Sequence, residues 1–185
     1  MKSGSNHRTA FSIFACFVTL IVTGSAFGSI FERGEDVVIS NVHVIDDDLY
    51  VYASGFKMEG TINGDLSVFA YDSKIQGQVS RAVNVLSRSA VYTGRCEGPF
   101  RSLTEVLTMD GTVGGSATII GRTISFNKGS VIERDMVVNG ANVNIDGIIK
   151  GKLNAKGDNI TITGQIGGDV VVHCNHLNIK PPAVI

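Results

Sequence analysis

The chain of 185 residues has no tryptophan, three prolines and three cysteines, and its formal net charge is −1. Near-neutral charge leaves no basic field for nucleic acid and no acidic tail. The scarcity of proline leaves backbone N–H groups free for ladders of hydrogen bonds. Against these absences stand 22 glycines and 43% hydrophobic residues. That composition suits many tight corners joined by short strands, with enough apolar surface for one continuous core and a single domain.

From residue 42 to 185 the chain repeats about every 17 residues. Glycines stand at Gly60, Gly77, Gly94, Gly111, Gly129, Gly147 and Gly164, with spacings of 17, 17, 17, 18, 18 and 17. A period this short is too small for a helix pair and suits three short strands with three corners. Such units cannot bury an apolar face alone, so they stack. Aligned on the glycine, position +2 reads Ile62, Val79, Cys96, Val113, Val131, Ile149 and Ile166. Position +6 reads Leu66, Val83, Phe100, Ala117, Leu153 and Val170, with Asp135 as the exception. Position +8 reads Val68, Val85, Ser102, Ile119, Val137, Ala155 and Val172, and a further column holds Ala90, Leu107, Ile124, Val143, Ile160 and Leu177. Within each rung apolar and polar residues alternate, which is the period of a strand. The pattern predicts an all-β fold, a single-stranded parallel β-helix of about eight rungs with a ninth begun at Lys180. Eight rungs make a rod of roughly 35–40 Å.

The aligned glycine predicts a tight bend or a positive φ. A second corner falls at Asn63-Gly64, Gly114-Gly115 and Gly167-Gly168, and a third at Asn142, Asn159 and Asn175, where stacked asparagines can hydrogen-bond along the axis. The rung from Gly94 to Leu107 is the least regular, with Arg95, Glu97, Pro99 and Arg101. It reads as a corner or outward loop, and alternatively as a binding feature on the side of the rod.

Residues 1–28 are of another kind. Lys2 and Arg8 precede an apolar run, Phe11 to Thr23, and the small residues Ala26 and Gly28 suit signal-peptidase cleavage after Gly28. The rival reading is an uncleaved membrane anchor, since 23 residues between Arg8 and Glu32 carry no charge. A buried helix of the folded domain is a third reading. The positive charges come first, so signal or anchor places the repeat domain outside the cytoplasm. Cys16 falls early in the apolar run, which disfavours a lipoprotein. The predicted organisation is a signal peptide or anchor over 1–28, a linker or N-terminal cap over 29–41, and the β-helix over 42–185.

Cys96 and Cys174 sit four rungs apart, roughly 19 Å at strand spacing. That separation is too great for an intramolecular disulfide, and both are expected to be buried thiols. The cluster His173-Cys174-Asn175-His176 is a poor metal site, because neighbours on a strand face opposite sides. Asp46, Asp47, Asp48 and Asp65 could offer oxygens to calcium. A solvated acidic corner that discourages unwanted stacking is the simpler account. Catalysis has little to build on. The loops are too short for the cleft of a β-helical lyase or glycosidase. His43, at the start of the first rung, is the one isolated candidate for an acyltransferase-type histidine. The chain is read as non-enzymatic, with no catalytic, cofactor or metal residues.

The recurring segments Gly60-Thr-Ile-Asn-Gly-Asp-Leu66, Gly111-Thr-Val-Gly-Gly-Ser116 and Gly164-Gln-Ile-Gly-Gly-Asp-Val170 resemble the repeat of the bactofilins, bacterial polymer-forming cytoskeletal proteins. The resemblance covers about residues 42–185. It implies a three-sided, right-handed parallel β-helix that assembles end to end without nucleotide and serves as a scaffold at the cell envelope. Two features depart from the family: the export-type segment, and a mixed-charge outer column of Asp48, Asp65, Arg134, Lys152 and Asp169. The chain also ends within a rung, with no capping helix after Leu177 and Ile179, and an uncapped end is a template for another molecule. The expected polymer interface is Leu177, Ile179 and Val184. The expected partner is another copy of the chain, with the membrane a partner through residues 1–28 and cell-wall polysaccharide a further candidate. The alternative function is a monomeric envelope solenoid that binds polysaccharide or a protein along its faces.

Overall fold

A computed structural model describes residues 29–185. The reading of 1–28 as signal, anchor or helix lies outside the described residues. Those described are all-β, and the chain winds as a parallel solenoid of about nine turns. Nine long strands form one sheet in chain order: β1 (Ser29–Ile39), β3 (Asp48–Met58), β5 (Leu66–Ile75), β7 (Val83–Tyr92), β9 (Phe100–Met109), β11 (Ala117–Phe126), β13 (Met136–Ile145), β15 (Leu153–Ile162) and β17 (Val170–Ile179). Eight two-residue strands form the second: β2 (Val44–Ile45), β4 (Thr61–Ile62), β6 (Gln78–Val79), β8 (Arg95–Cys96), β10 (Thr112–Val113), β12 (Val131–Ile132), β14 (Ile148–Ile149) and β16 (Gln165–Ile166). Every pairing is parallel.

Each long strand changes face midway. In β5, Leu66 and Val68 are buried, Tyr71 and Asp72 both point to solvent, and burial resumes at Ser73 and Ile75. The strand ladder skips Tyr71 at the same point, and skips Arg88 and Arg122 on β7 and β11. One long strand thus supplies two inward segments with a corner between them, and the short strand supplies the third. Like stacks on like, as in the buried column Ala90, Leu107, Ile124, Val143 and Ile160.

Three expectations need correction. The first concerns register around residue 130. Thr112 pairs with Val131 and Val131 with Ile148, so Ser130, not Gly129, occupies the aligned corner. Ser130 is 1% exposed and its Oγ donates to the carbonyl of Asn127 at 2.5 Å, inside a loop two residues longer than elsewhere. The shift removes the Asp135 exception, because Met136 holds the core position. It also moves Ile132 and Val138 inward in place of Val131 and Val137, and puts Asp135, not Arg134, in the outer charged column.

The second concerns the corner glycines. No described glycine has φ in the left-handed region. What excludes a side chain is the turn beneath: a Cβ at Gly77 would collide with the carbonyl oxygen of Gly60, and one at Gly94 with that of Gly77. The glycine is there for close backbone approach.

The third concerns residues 29–41, read as linker or N-terminal cap, where the linker alternative gives way to a strand. Ser29–Ile39 is the edge strand of the long sheet and pairs along its length with β3. Its core-facing positions carry Glu32 and Gly34 beside Ile30, Val37 and Ile39, which breaks the apolar column that sequence alignment relies on.

Candidate functional site at the ends of the stack

Among the described residues the interior columns run as far as β17, which is the last strand of the long sheet and has one edge unpaired. Leu177 continues the column of Ile160 and Ile179 that of Ile162. Ile160 and Ile162 are 1% and 0% exposed, whereas Leu177 and Ile179 are 48% and 50% exposed. Val170, Val172 and Cys174 complete the row and are half-buried, packed from one side only. The sequence placed Leu177 and Ile179 on this face, and the structure puts both there.

The last six residues cover part of the third side. Lys180 N–H donates to Ile162 O at 3.0 Å, a cis Pro181–Pro182 bond turns the chain, and Ile166 N–H donates to Val184 O at 2.8 Å. Val184 stacks on Gln165, an outward position. The inward column of Ile166 therefore continues at Ile185, not Val184. The signal was one residue away: the offset between turns at this point is 19, not 17.

The opposite end differs. In β1, Ile30 stands over Leu49, Glu32 over Val51, Gly34 over Ala53, Val37 over Phe56 and Ile39 over Met58. A carboxylate and a glycine occupy two of the five inward positions. An inward-pointing charge on an edge strand disfavours pairing with another chain, because burying it without a partner costs several kcal/mol.

The acidic corner has a structural task. Asp48 Oδ1 accepts from Asp65 N–H at 2.7 Å, Asp65 Oδ1 accepts from Ala82 N–H at 2.9 Å, and Asp135 Oδ1 accepts from Lys152 N–H at 2.8 Å. Each carboxylate satisfies a corner N–H one turn on. Ala82 has no such oxygen to offer, and the residue one turn above it is Pro99, which has no N–H to satisfy. Pro99 is thus fitted to its column, and the rung around it stays in register with both neighbours. It is a corner, not an outward loop. Asparagine stacking occurs as expected at Asn142, whose Oδ1 accepts from Asn159 Nδ2 at 3.0 Å. Asn175 lies in the adjacent row and donates to Asp158 at 3.1 Å.

Cys96 is fully buried and Cys174 half-buried, both free thiols. Burial pushes the Cys96 thiol up from its ordinary range, and it pushes the phenol of neighbouring Tyr92 up as well. Tyr92 donates to Thr112 O at 3.2 Å, with its ring 4.8 Å from that of Phe100. His173 and His176 are exposed on β17, flanking the inward Cys174. No group of three or more metal-ligating side chains converges among the described residues. His43 Nδ1 lies 2.7 Å from Ser40 Oγ at an exposed corner. No helix among the described residues is long and apolar enough to cross a membrane. No family model, curated protein or solved structure matches the chain.

Proposed function

We propose that this chain is a non-enzymatic structural scaffold of the bacterial envelope, a three-sided, right-handed, bactofilin-like β-helix that assembles end to end. Residues 1–28 export it or hold it at the membrane. The observation that carries the reading is the open C-terminal face: Val170, Val172, Leu177 and Ile179 continue core columns into solvent beside an unpaired strand edge. Stacking another copy there completes the hydrogen-bond ladder. Each half-exposed Leu or Ile that becomes buried contributes about 1 kcal/mol. No nucleotide is needed, because the energy comes from apolar burial and strand pairing.

The end that receives this face decides the polarity of the assembly. In-register stacking onto β1 of another copy puts Val172 against Glu32, a costly match, while Leu177 meets Val37 and Ile179 meets Ile39. In that contact the C-terminal face brings the apolar gain and β1 the charge penalty. Sedimentation velocity of the full-length chain over a concentration series tests the reading. Growth of the sedimentation coefficient with concentration past that of a dimer supports end-to-end assembly. A monomer at every concentration overturns it and favours a solenoid that acts singly by binding along its sides.

A further inference from the structure

One outward row has no part in the core or in the ends. Tyr52, Phe69, Leu86, Leu103 and Ile120 occupy equivalent positions on β3, β5, β7, β9 and β11. All five are exposed, by between 44% and 58%. At strand spacing they make an apolar ladder of roughly 19 Å. Single exposed apolar residues are ordinary on a protein surface, but a contiguous run marks an interaction site. The row gives way to Asn139, Lys156 and His173 on the later strands, so the ladder has a defined length and centre.

The flanks give the occupant away. On one side, at the bend of the long strands, run Tyr71, Arg88, Glu105 and Arg122. This row is tied along the rod, with Arg88 Nε 3.3 Å and Arg122 Nη1 3.6 Å from the Glu105 carboxylate. Arg88 also lies over the Tyr71 ring, 5.0 Å from its centroid. On the other side run Ser67, Asn84, Arg101 and Thr118.

We infer that this face pairs with the same face of a second copy, with the two rods antiparallel. The two-fold axis runs along the strands, midway between the levels of Leu86 and Leu103. That operation places Leu86 against Leu103 and Phe69 against Ile120, so four of the five ladder residues cover one another and Tyr52 lies against Asn139. It places Arg88 opposite Glu105 and Arg122 opposite the Tyr71 ring, each twice by symmetry. On the far flank Arg101 meets Asn84 and Ser67 meets Thr118. No like charges oppose each other over these four levels. A parallel pair would set Glu105 opposite Arg101 but leave both Arg88, opposite Asn84, and Arg122, opposite Thr118, without a carboxylate or a ring, so the antiparallel pair partners more of the flanking charges. A two-fold interface requires a surface that is complementary to itself, and the order Tyr–Arg–Glu–Arg beside Phe–Leu–Leu–Ile meets that requirement in the antiparallel sense. The inference does not depend on end-to-end stacking, because the ladder lies on the side of the rod.

Thiol cross-linking of the full-length chain tests it. The native cysteines are replaced according to their columns: Cys16→Ser, Cys96→Val to match Val79 and Val113, and Cys174→Ala to match its small-residue column. Phe69→Cys and Ile120→Cys are then made separately. A short bifunctional thiol reagent bridges facing sheets about 10 Å apart but not the further three strand spacings, roughly 14 Å, that separate identical residues in the antiparallel pair. The expected result is a cross-linked dimer when the two variants are mixed and none with either alone. Adding Leu86→Lys and Leu103→Lys should abolish it, while circular dichroism and melting temperature show that the rod still folds. Cross-linking of either single variant to itself would mean parallel pairing and overturn the proposal. No cross-link in any combination, from folded protein, would also overturn it and leave the ladder to a different kind of partner.

Discussion

In the middle of the rod Leu107 has a rung on either side and is fully buried, while Leu177, in the same column at the C-terminal end, is half exposed. The residue type is the same and so is the strand position. Only the number of neighbouring turns differs, and with it the part the leucine plays. In the middle it supplies folding energy. At the end its apolar surface lies half open to solvent, and on the proposed reading it supplies adhesion. The N-terminal end makes the contrast sharper, since Glu32 interrupts the column there. The same columns thus build the core in the middle and leave apolar surface at one end, and one carboxylate is enough to make two ends unequal.

Lysine at both leucines separates the two roles. Leu107→Lys places an unpaired ammonium among buried apolar neighbours and should cost more than about 4 kcal/mol, enough to unfold a marginal domain. Leu177→Lys should cost about 1 kcal/mol or less, because the chain can extend to water, yet it should lower assembly sharply. Thermal or urea unfolding read beside sedimentation checks both. Equal destabilisation by the two would erase the distinction between interior and end.

Glu32→Val tests the polarity of the ends. If the C-terminal face stacks on β1 of the next copy, removing the carboxylate should strengthen association by the several kcal/mol that its desolvation costs. No change in concentration-dependent sedimentation would show that β1 is not the receiving surface.

The acidic corner allows a test inside the rod. Asp65→Ala leaves the Ala82 N–H without its acceptor and should cost about 1–2 kcal/mol. Adding Ala82→Pro removes the orphaned donor and reproduces the natural arrangement of Ala82 below Pro99, so the double variant should recover much of the loss. Denaturant unfolding of the single and double variants measures the coupling, and strict additivity would contradict the account of Pro99.

The smallest effect lies in two hydroxyls. Ser73 and Ser87 have buried Oγ atoms with no hydrogen-bond partner among the described residues. Ser73→Ala and Ser87→Ala should each raise stability by about 1 kcal/mol. Cysteine reactivity tells interior from end in the same way. In the unassembled chain Cys174 on the open strand should react with a thiol reagent in the native state, whereas Cys96, buried and held protonated by desolvation, should react only on unfolding.

Much of this was legible before any coordinates. Glycines spaced by 17 and apolar residues in columns fixed the solenoid, because stacked turns demand like on like. They also placed Leu177 and Ile179 at the open end. The failures share a cause. Alignment on glycine assumes that the corner needs glycine for its φ, whereas the structure needs it for clearance. At Ser130 a longer loop supplies that clearance and a buried serine fits. The two-residue lengthening then misplaced Val131, Val137, Arg134 and Asp135 by one position. A similar change of offset hid Ile185 behind Val184. The strand at 29–39 escaped because Glu32 and Gly34 stand where the columns call for apolar residues. The outward ladder from Tyr52 to Ile120 was present in the sequence as five apolar residues one step past a core column. A search for inward faces does not find an outward row.

The most direct test of the central claim is electron microscopy of the purified full-length chain beside its Leu177→Lys/Ile179→Lys variant at matched concentrations. The account predicts elongated assemblies for the unaltered chain and, for the folded variant, rods no longer than about 40 Å, eight strand spacings, single or paired side by side. Assemblies of equal length in both would contradict it, because the open C-terminal face would then play no part in holding copies together.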